Sequence, residues 1–349
     1  MPHRVAIIGA GSWGTALAVH SARQGLEVTV WARKAEVAGH INNDRENPAF
    51  LPGLKLPASI RAVSDLGQAL AGQKLVLAVV PSHVMRSMAA AMAPFVERGA
   101  VLVSASKGIE DESSATMVQI LEEELRPKYG LELGAISGPS FALEVARGLP
   151  TAVTLAMRSR PMAKAVQSLL SAPVFRIYTS LDLVGVELGG ALKNVYAIAA
   201  GICDGFSLGL NARAAMLPRA LGEMSRMAVA MGANPLTLMG LSGMGDLILT
   251  ATGDLSRNRK VGLRLGAGEK LSDILAGSRE VAEGIRNARS VRNMALRHQV
   301  DMPMAREVYR VLYEDKEPRR AMVDLLTRRL KDELDPRYQS FGPNREMSG

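Results

Sequence analysis

Short apolar runs recur through the first half of the chain, separated by stretches whose apolar residues fall three and four apart. The run V-A-I-I at 5–8 ends at Gly9, and further runs lie at 27–31, 75–80, 100–104, 133–137, 152–157 and 174–178. Runs of this length, rich in Val, Ile and Leu and closed by Gly, Pro or Ser, predict strands buried on both faces. Helical spacing falls between them, at 12–22, 82–95, 112–125, 141–147 and 162–170. Alternating strand and helix predicts a parallel sheet built by right-handed crossovers. From about residue 181 the short runs stop. The segments 181–202, 212–231, 258–265, 272–276, 288–297, 304–313 and 318–331 all read as helices punctuated by Gly and Pro. The expected architecture is a doubly wound, mainly parallel α/β sheet over 1–180 followed by an all-α domain over 181–331. Residues 332–349, polar with two prolines and two glycines, are expected to be a mobile tail.

The first C-terminal helix carries Gly185, Gly189, Gly190, Ala191, Ala197, Ala199, Ala200 and Gly201. Glycine at this density is poor helix chemistry. Such a helix makes sense where its neighbours pack very closely, so it is expected to be the buried axis of the second domain.

Between the first strand and first helix lies G-A-G-S-W-G, a G-x-G-x-x-G spacing at Gly9, Gly11 and Gly14. In this context Gly9 permits the tight turn, Gly11 lets the backbone approach a pyrophosphate, and Gly14 lets helix pack on strand. The free N–H groups of the helix start then face the phosphates. The sheet is therefore expected to be Rossmann-type. Its ligands would sit at the strand C-termini, just where Gly9, Arg33, Pro81, Lys107 and Gly138 fall. An NAD-selective site places Asp or Glu after the second strand to hold the ribose 2′-OH. This chain has Trp31-Ala32-Arg33-Lys34 instead. Arg33 can grip a 2′-phosphate bidentately and Lys34 can add charge, which favours NADP with NAD also usable. The competing reading pairs Arg33 with Glu36.

Composition narrows the partners. The net charge of +8 fits nucleic acid, a membrane surface or a small anionic ligand. Basic residues in 286–329 are interleaved with Glu307, Glu314, Asp315, Glu317 and Asp324, and aromatics are only 4% of the chain, so a small anion is favoured over nucleic acid. The single cysteine, Cys203, rules out an internal disulfide, fits a reducing, cytoplasmic compartment and reads as a small buried hydrophobe. Arg4 before an apolar run imitates a signal peptide, but the run ends in the glycine fingerprint and export is not expected. No apolar stretch is expected to reach the ~20 residues of a membrane span. The five histidines, His3, His20, His40, His83 and His298, lack metal-ligand spacing, and no metal is expected.

Four stretches carry candidate chemistry. S-A-S-K-G at 104–108 puts Lys107 on a glycine-containing loop after a strand; a solvated lysine and an anion-binding one stand level there. S-G-P-S-F-A at 137–142 is another strand-to-helix turn, with Gly138 and Ser140 small enough for a ligand to approach. L-G-G-A-L-K-N at 188–194 sets Lys193 inside the apolar helix, where an ammonium must be paired, neutralised or touching an anion. Finally, Asp246 and Thr250 share one helix face, and Ser256 is a candidate N-cap before Arg257 and Asn258, a natural seat for a phosphate. Glu283, in V-A-E-G at 281–284, reads simply as compensation of a helix dipole.

In this order the motifs G-A-G-S-W-G-T-A-L-A, S-K-G, S-G-P-S-F-A, L-K-N-V-Y-A-I-A-A-G, G-M-G-D-L-I-L-T, S-R-N and V-A-E-G closely resemble those of the bacterial NAD(P)-dependent glycerol-3-phosphate dehydrogenases. The resemblance spans roughly residues 4–330. It implies reversible reduction of dihydroxyacetone phosphate to sn-glycerol 3-phosphate for phospholipid synthesis, and a homodimer. Matched by position, it implies cofactor contacts from Ser12, Trp13, Arg33, Lys34, Lys107, Ala142, Arg257, Val281 and Glu283. Substrate would be held by Lys107, Gly138, Ser140, Lys193, Asp246, Ser256, Arg257 and Asn258, with Thr250 on the same face as Asp246. Lys193 would transfer the proton, with Lys107 and Asp246 beside it. Arg33-Lys34 stands where the family often has His-Arg or Arg-Arg, and Phe50 where some members have Tyr. A reductase of hydroxy acids or other carboxylates is the rival reading, since it too would use a lysine and NADPH. A non-catalytic nucleotide sensor is disfavoured, having no need of Lys193, Asp246 and Arg257 together.

Overall fold

The computed structural model describes residues 4–125, 130–277, 282–330 and 332–333. Most of the expected tail (334–349) and the site candidate Val281 lie outside the described residues. The strands are β1 Arg4–Ile8, β2 Glu27–Trp31, β3 Ile60–Val63, β4 Leu75–Ala78, β5 Val101–Ser104, β6 Glu132–Ser137, β7 Thr151–Met157 and β8 Phe175–Ser180. They form one sheet in the order β3-β2-β1-β4-β5-β6-β7-β8. Strands β1 to β6 run parallel, and Ile8 pairs with both Trp31 and Ala78, Ala78 with Ser104, and Ser104 with Ala135. This register levels the strand C-termini, so the loops that follow them share one edge.

Each strand feeds two cores because alternate residues point to opposite faces. Ile7, Val28, Leu75 and Val103 pack on one face, against the helix α1, Ser12–Arg23. Ile8, Trp31, Val76 and Leu102 pack on the other, with Met85 and Leu121. Burial on both sides is why these strands read as unbroken apolar runs.

Two features depart from the alternating pattern. β3 is a four-residue edge strand with Arg61 exposed, and short charged strands are a common defence of a sheet edge. It and the helices Ala35–Asn43 and Leu66–Leu70 carry no apolar-run signal. Second, the parallel order ends at β6: β7 pairs with it antiparallel, and β8 then runs parallel to β7. The connection 138–150 contains only the short helix Ala142–Arg147, so the chain turns back along the sheet without a full crossover.

After β8 the described chain is helical. Its axis is α2, Leu183–Gly205, capped by Asp182, whose side chain accepts from Gly185 N at 2.9 Å. α2 has the length and composition of a membrane span, contrary to the expectation that no stretch does, but 89% of that window is buried inside the protein, so it is a core helix. The other helices needed below are α3 Asp246–Thr252, α4 Arg257–Gly266 and α5 Glu283–Arg297. Glycine lets α2 and α4 touch backbone to backbone. A Cβ on Gly201 would lie 2.0 Å from the Arg259 carbonyl oxygen, and one on Gly262 would lie 2.0 Å from that of Ile198. Neither position accepts a side chain unless the helices part.

Candidate active site

Lys193 lies midway along α2 and is only 6% exposed. Its partners come from α3, which follows a π-helical turn, Leu241–Gly245. Asp246 continues directly from that turn, and Thr250 follows one turn later on the same face. Lys193 Nζ donates to Asp246 Oδ1 at 2.5 Å and to Thr250 Oγ1 at 2.7 Å. The second Asp246 oxygen, Oδ2, accepts from Lys107 Nζ at 2.8 Å, across the boundary between sheet and helices. Lys107 Nζ also donates to the Gly138 carbonyl at 2.9 Å, as does Ser140 Oγ at 2.9 Å. Lys107, Gly138, Ser140, Lys193, Asp246 and Thr250 therefore form one cluster.

Two ammoniums share one buried carboxylate, so the cluster carries an excess positive charge facing the strand C-termini. Burial lowers the Lys193 pKa from 10.5 to about 8. The Asp246 charge opposes that shift and the Lys107 charge adds to it. The result is an ammonium able to release and recover a proton near neutral pH, beside a second cation.

Next to the cluster, α4 begins at Arg257, with Ser256 as N-cap; its Oγ accepts from Arg259 N at 3.2 Å. Arg257 is exposed at the helix start, and no acidic residue lies in the first turn. Asn258 Nδ2 donates to Asn194 Oδ1 at 2.9 Å, and Asn258 Oδ1 accepts from Gly284 N at 2.9 Å. This pair ties α2, α4 and α5 together beside Lys193. Asn194 had no assigned role in the sequence; its only signal was adjacency to Lys193. Ser82, after β4, was also missed. Its hydroxyl donates to Glu283 Oε2 at 2.8 Å, bringing α5 to the sheet edge.

The glycine turn fits a dinucleotide. Gly9 has φ +123°, and a Cβ on Gly14 would lie 1.9 Å from the Gly9 carbonyl oxygen, so strand and helix pack as closely as the fingerprint requires. At Gly11 nothing lies within 4 Å of a would-be Cβ, which leaves the space above the turn open. The α1 N-terminus has no side-chain cap and no acid in its first turn, and the buried Trp13 Nε1 has no partner. Ser12 Oγ donates to the Phe50 carbonyl at 2.9 Å, and Ala142 opens the helix after β6. Arg33 and Lys34 are exposed beyond β2, and among the described residues Arg33 forms no ion pair; Glu36 approaches His40 at 3.9 Å instead. They lie apart from the lysine cluster. β2 and β5 are three strand spacings apart, roughly 14 Å, a span suited to the two ends of an extended dinucleotide. Among the described residues no His/Cys/Asp/Glu cluster could hold a metal, and Cys203 is half-buried.

Two family models match the chain: the NAD-dependent glycerol-3-phosphate dehydrogenase N-terminus over residues 4–163 and the C-terminus over residues 182–323. The chain is 51% identical to a glycerol-3-phosphate dehydrogenase [NAD(P)+] of Syntrophobacter fumaroxidans, covering 95% of this chain and 97% of the relative. It is 50% identical to one from Geobacter sp. (strain M21), covering 95% and 99%. Among solved structures, the glycerol-3-phosphate dehydrogenase of Coxiella burnetii superposes with a TM-score of 0.89 at 39% identity, covering 94% of this chain and 99% of that one.

Proposed function

The chain belongs to the NAD-dependent glycerol-3-phosphate dehydrogenase family and interconverts dihydroxyacetone phosphate and sn-glycerol 3-phosphate with NAD(P), and on that premise we propose that Lys193 gives and takes the proton. In the same proposal the product supplies glycerophospholipid synthesis. A bound nicotinamide supplies hydride to the substrate's C2 carbonyl, or accepts it in reverse.

The observation that carries the proposal is the buried Lys193 ammonium, held by Asp246 and Thr250 beside Lys107. Reduction builds negative charge on the carbonyl oxygen. Lys193 Nζ meets that charge in a water-poor site and delivers the proton. Asp246 keeps both ammoniums in place, and Lys107 adds positive charge where the oxyanion develops. Ser256, Arg257 and Asn258 at the start of α4 seat the substrate phosphate, and Gly138 and Ser140 line the approach from the sheet. Holding that remote phosphate positions the carbonyl against Lys193.

On the cofactor side, the turn of Gly9, Gly11, Ser12, Trp13 and Gly14 takes the pyrophosphate, and Arg33 with Lys34 takes a 2′-phosphate, favouring NADP over NAD. Lys107, Ala142, Arg257, Val281 and Glu283 complete the contacts inferred for the cofactor. In this reading residues 1–180 bind cofactor and 181–331 supply most of the catalytic groups. A cytoplasmic homodimer is part of the same proposal, open to sedimentation and fractionation.

The test is the pH profile. A proton donor near 8 makes dihydroxyacetone phosphate reduction fall as pH rises through about 8, while glycerol 3-phosphate oxidation rises through the same value. Profiles flat across that range in both directions would refute Lys193 as the proton-transfer group.

A further inference from the structure

Glu187 lies on α2 six residues before Lys193, and both of its oxygens reach out of the helical domain. Oε2 accepts from Thr116 Oγ1 at 2.8 Å and Oε1 from Val118 N at 2.9 Å. Glu187 is 8% exposed and Thr116 2%, so the contact is buried. Its target is the start of the helix Met117–Leu125. There Thr116 N donates to Gln119 Oε1 at 2.8 Å and Gln119 N to Thr116 Oγ1 at 3.4 Å, a reciprocal capping box, and Glu187 satisfies a first-turn N–H that has no acceptor within the helix. Val118, Ala135, Ala156, Leu183 and Val186 form a small apolar cluster beside it, joining sheet and α2.

The geometry closes a loop. Lys193 and Glu187 share one rigid helix, while Lys107 and Thr116 share the connection from β5 to Met117–Leu125. The two ends meet twice, at Glu187 with Thr116 and, through Asp246, at Lys193 with Lys107. α5 holds the middle of the connection, where Ser290 Oγ donates to the Ile109 carbonyl at 3.2 Å.

We propose that Glu187 is a positioning residue: its clasp on Thr116 and Val118 fixes the Lys107 connection against α2 and thereby keeps the Lys107 ammonium beside Lys193. This rests on the reading of Lys193 as proton donor. The clasp needs acceptors rather than a full charge. Burial, with a smaller push from the Glu122 carboxylate, raises the Glu187 pKa to about 7 against the hydrogen bonds from Val118 and Thr116, and Arg158, paired with Glu122, is the nearby cation.

That makes Glu187→Gln the conservative variant, because its oxygen can serve Val118 N–H while its amide donates to the Thr116 hydroxyl, which is free to turn. Glu187→Leu keeps the volume and removes both acceptors. Both are made in the full chain and assayed for NADPH binding, kcat, KM and the pH profile of reduction. The groups facing Lys193 are Asp246, Lys107 and Thr250. If Lys107 withdraws, Lys193 loses a neighbour that lowers its pKa and keeps the one that raises it. Glu187→Leu should therefore still hold NADPH at the glycine turn, lose about tenfold or more in kcat/KM, and move its alkaline limb to higher pH. Glu187→Gln should restore both.

A limb that Glu187→Leu leaves at the wild-type position overturns the inference, because a purely structural loss lowers stability without moving it. Gln failing as badly as Leu also overturns it. If the Leu variant does not fold, Thr116→Val removes one bond from the other side and must shift the limb in the same direction; an unmoved limb there is equally fatal. A wild-type profile with no limb near pH 8 overturns the Lys193 reading and this inference with it, whereas a wild-type limb that ignores Glu187 overturns this inference alone.

Discussion

Lys193→Met separates proton transfer from packing. Methionine keeps an unbranched stem in a position only 6% exposed and deletes the bonds from Nζ to Asp246 at 2.5 Å and Thr250 at 2.7 Å. Its effects on stability oppose each other. The folded-state pKa of about 8 lies below the ordinary 10.5, so between those values the unfolded chain holds more protons and stability rises with pH. Below about pH 8 the charged lysine therefore opposes folding, and methionine removes that cost. Against this, Asp246 loses one cation. Stranding a buried charge costs ~3–5 kcal/mol, but Lys107 remains at 2.8 Å, so the net loss should be about 1–2 kcal/mol, with the rise above pH 8 abolished. Catalysis should suffer far more. Loss of a general acid costs ~10²–10⁴-fold, and loss of the charge facing the oxyanion about another 10²-fold. The assay is initial rate in both directions from nicotinamide absorbance, alongside NADPH binding and thermal melts on either side of pH 8. Lys107→Met, which leaves the assigned donor in place, should retain more rate. A folded Lys193→Met enzyme within about tenfold of wild type would end the assignment. An unfolded one would place Lys193 in a structural ion pair.

Three further outcomes are expected. Arg257→Ala should raise KM for dihydroxyacetone phosphate much more than for dihydroxyacetone, and equal effects would remove Arg257 from the phosphate seat. Arg33→Asp should weaken NADPH far more than NADH, since it deletes a 2′-phosphate partner and adds a repelling charge; parallel losses would contradict that role. Glu223 is 2% exposed and accepts from Tyr196 OH at 3.0 Å and Met304 N at 2.8 Å, with burial raising its pKa from 4.5 to about 7. Its contribution to stability is full below 4.5 and lost as pH rises through about 7, so Glu223→Gln should flatten the fall in melting temperature across that window. An unchanged slope would show that Glu223 is not the titrating group.

What the sequence disclosed depended on how local the physics was. The glycine turn and the double-sided strands are written in neighbouring residues, so the sheet from β1 to β6, β3 apart, could be read directly. Lys193 stood out because an ammonium amid Gly, Ala and Leu has few physical excuses. Asp246 could be set beside it only through the family resemblance, since that contact spans 53 residues of sequence. Ser82 with Glu283 spans 201 and Glu187 with Thr116 spans 71; a buried carboxylate on an apolar helix says it has partners, not which ones. β3 was hidden by its shortness and its exposed arginine. The reversal at β7 was hidden because the apolar pattern of a strand is the same in either direction.

The glycine contacts between α2 and α4 make the site a ruler. Lys193 and the Ser256-Arg257-Asn258 turn sit on two helices pressed together at bare backbone, so their separation is set by covalent geometry and not by side chains that could repack. On the proposed roles of these residues, such a gauge would measure the gap between the oxygen being protonated and the phosphate being held. A homologous substrate one carbon longer would keep every functional group and still present its carbonyl out of reach of Lys193. Widening the gauge, by alanine at Gly201 or Gly262, would blur the enzyme's sense of substrate length before it touched any catalytic group.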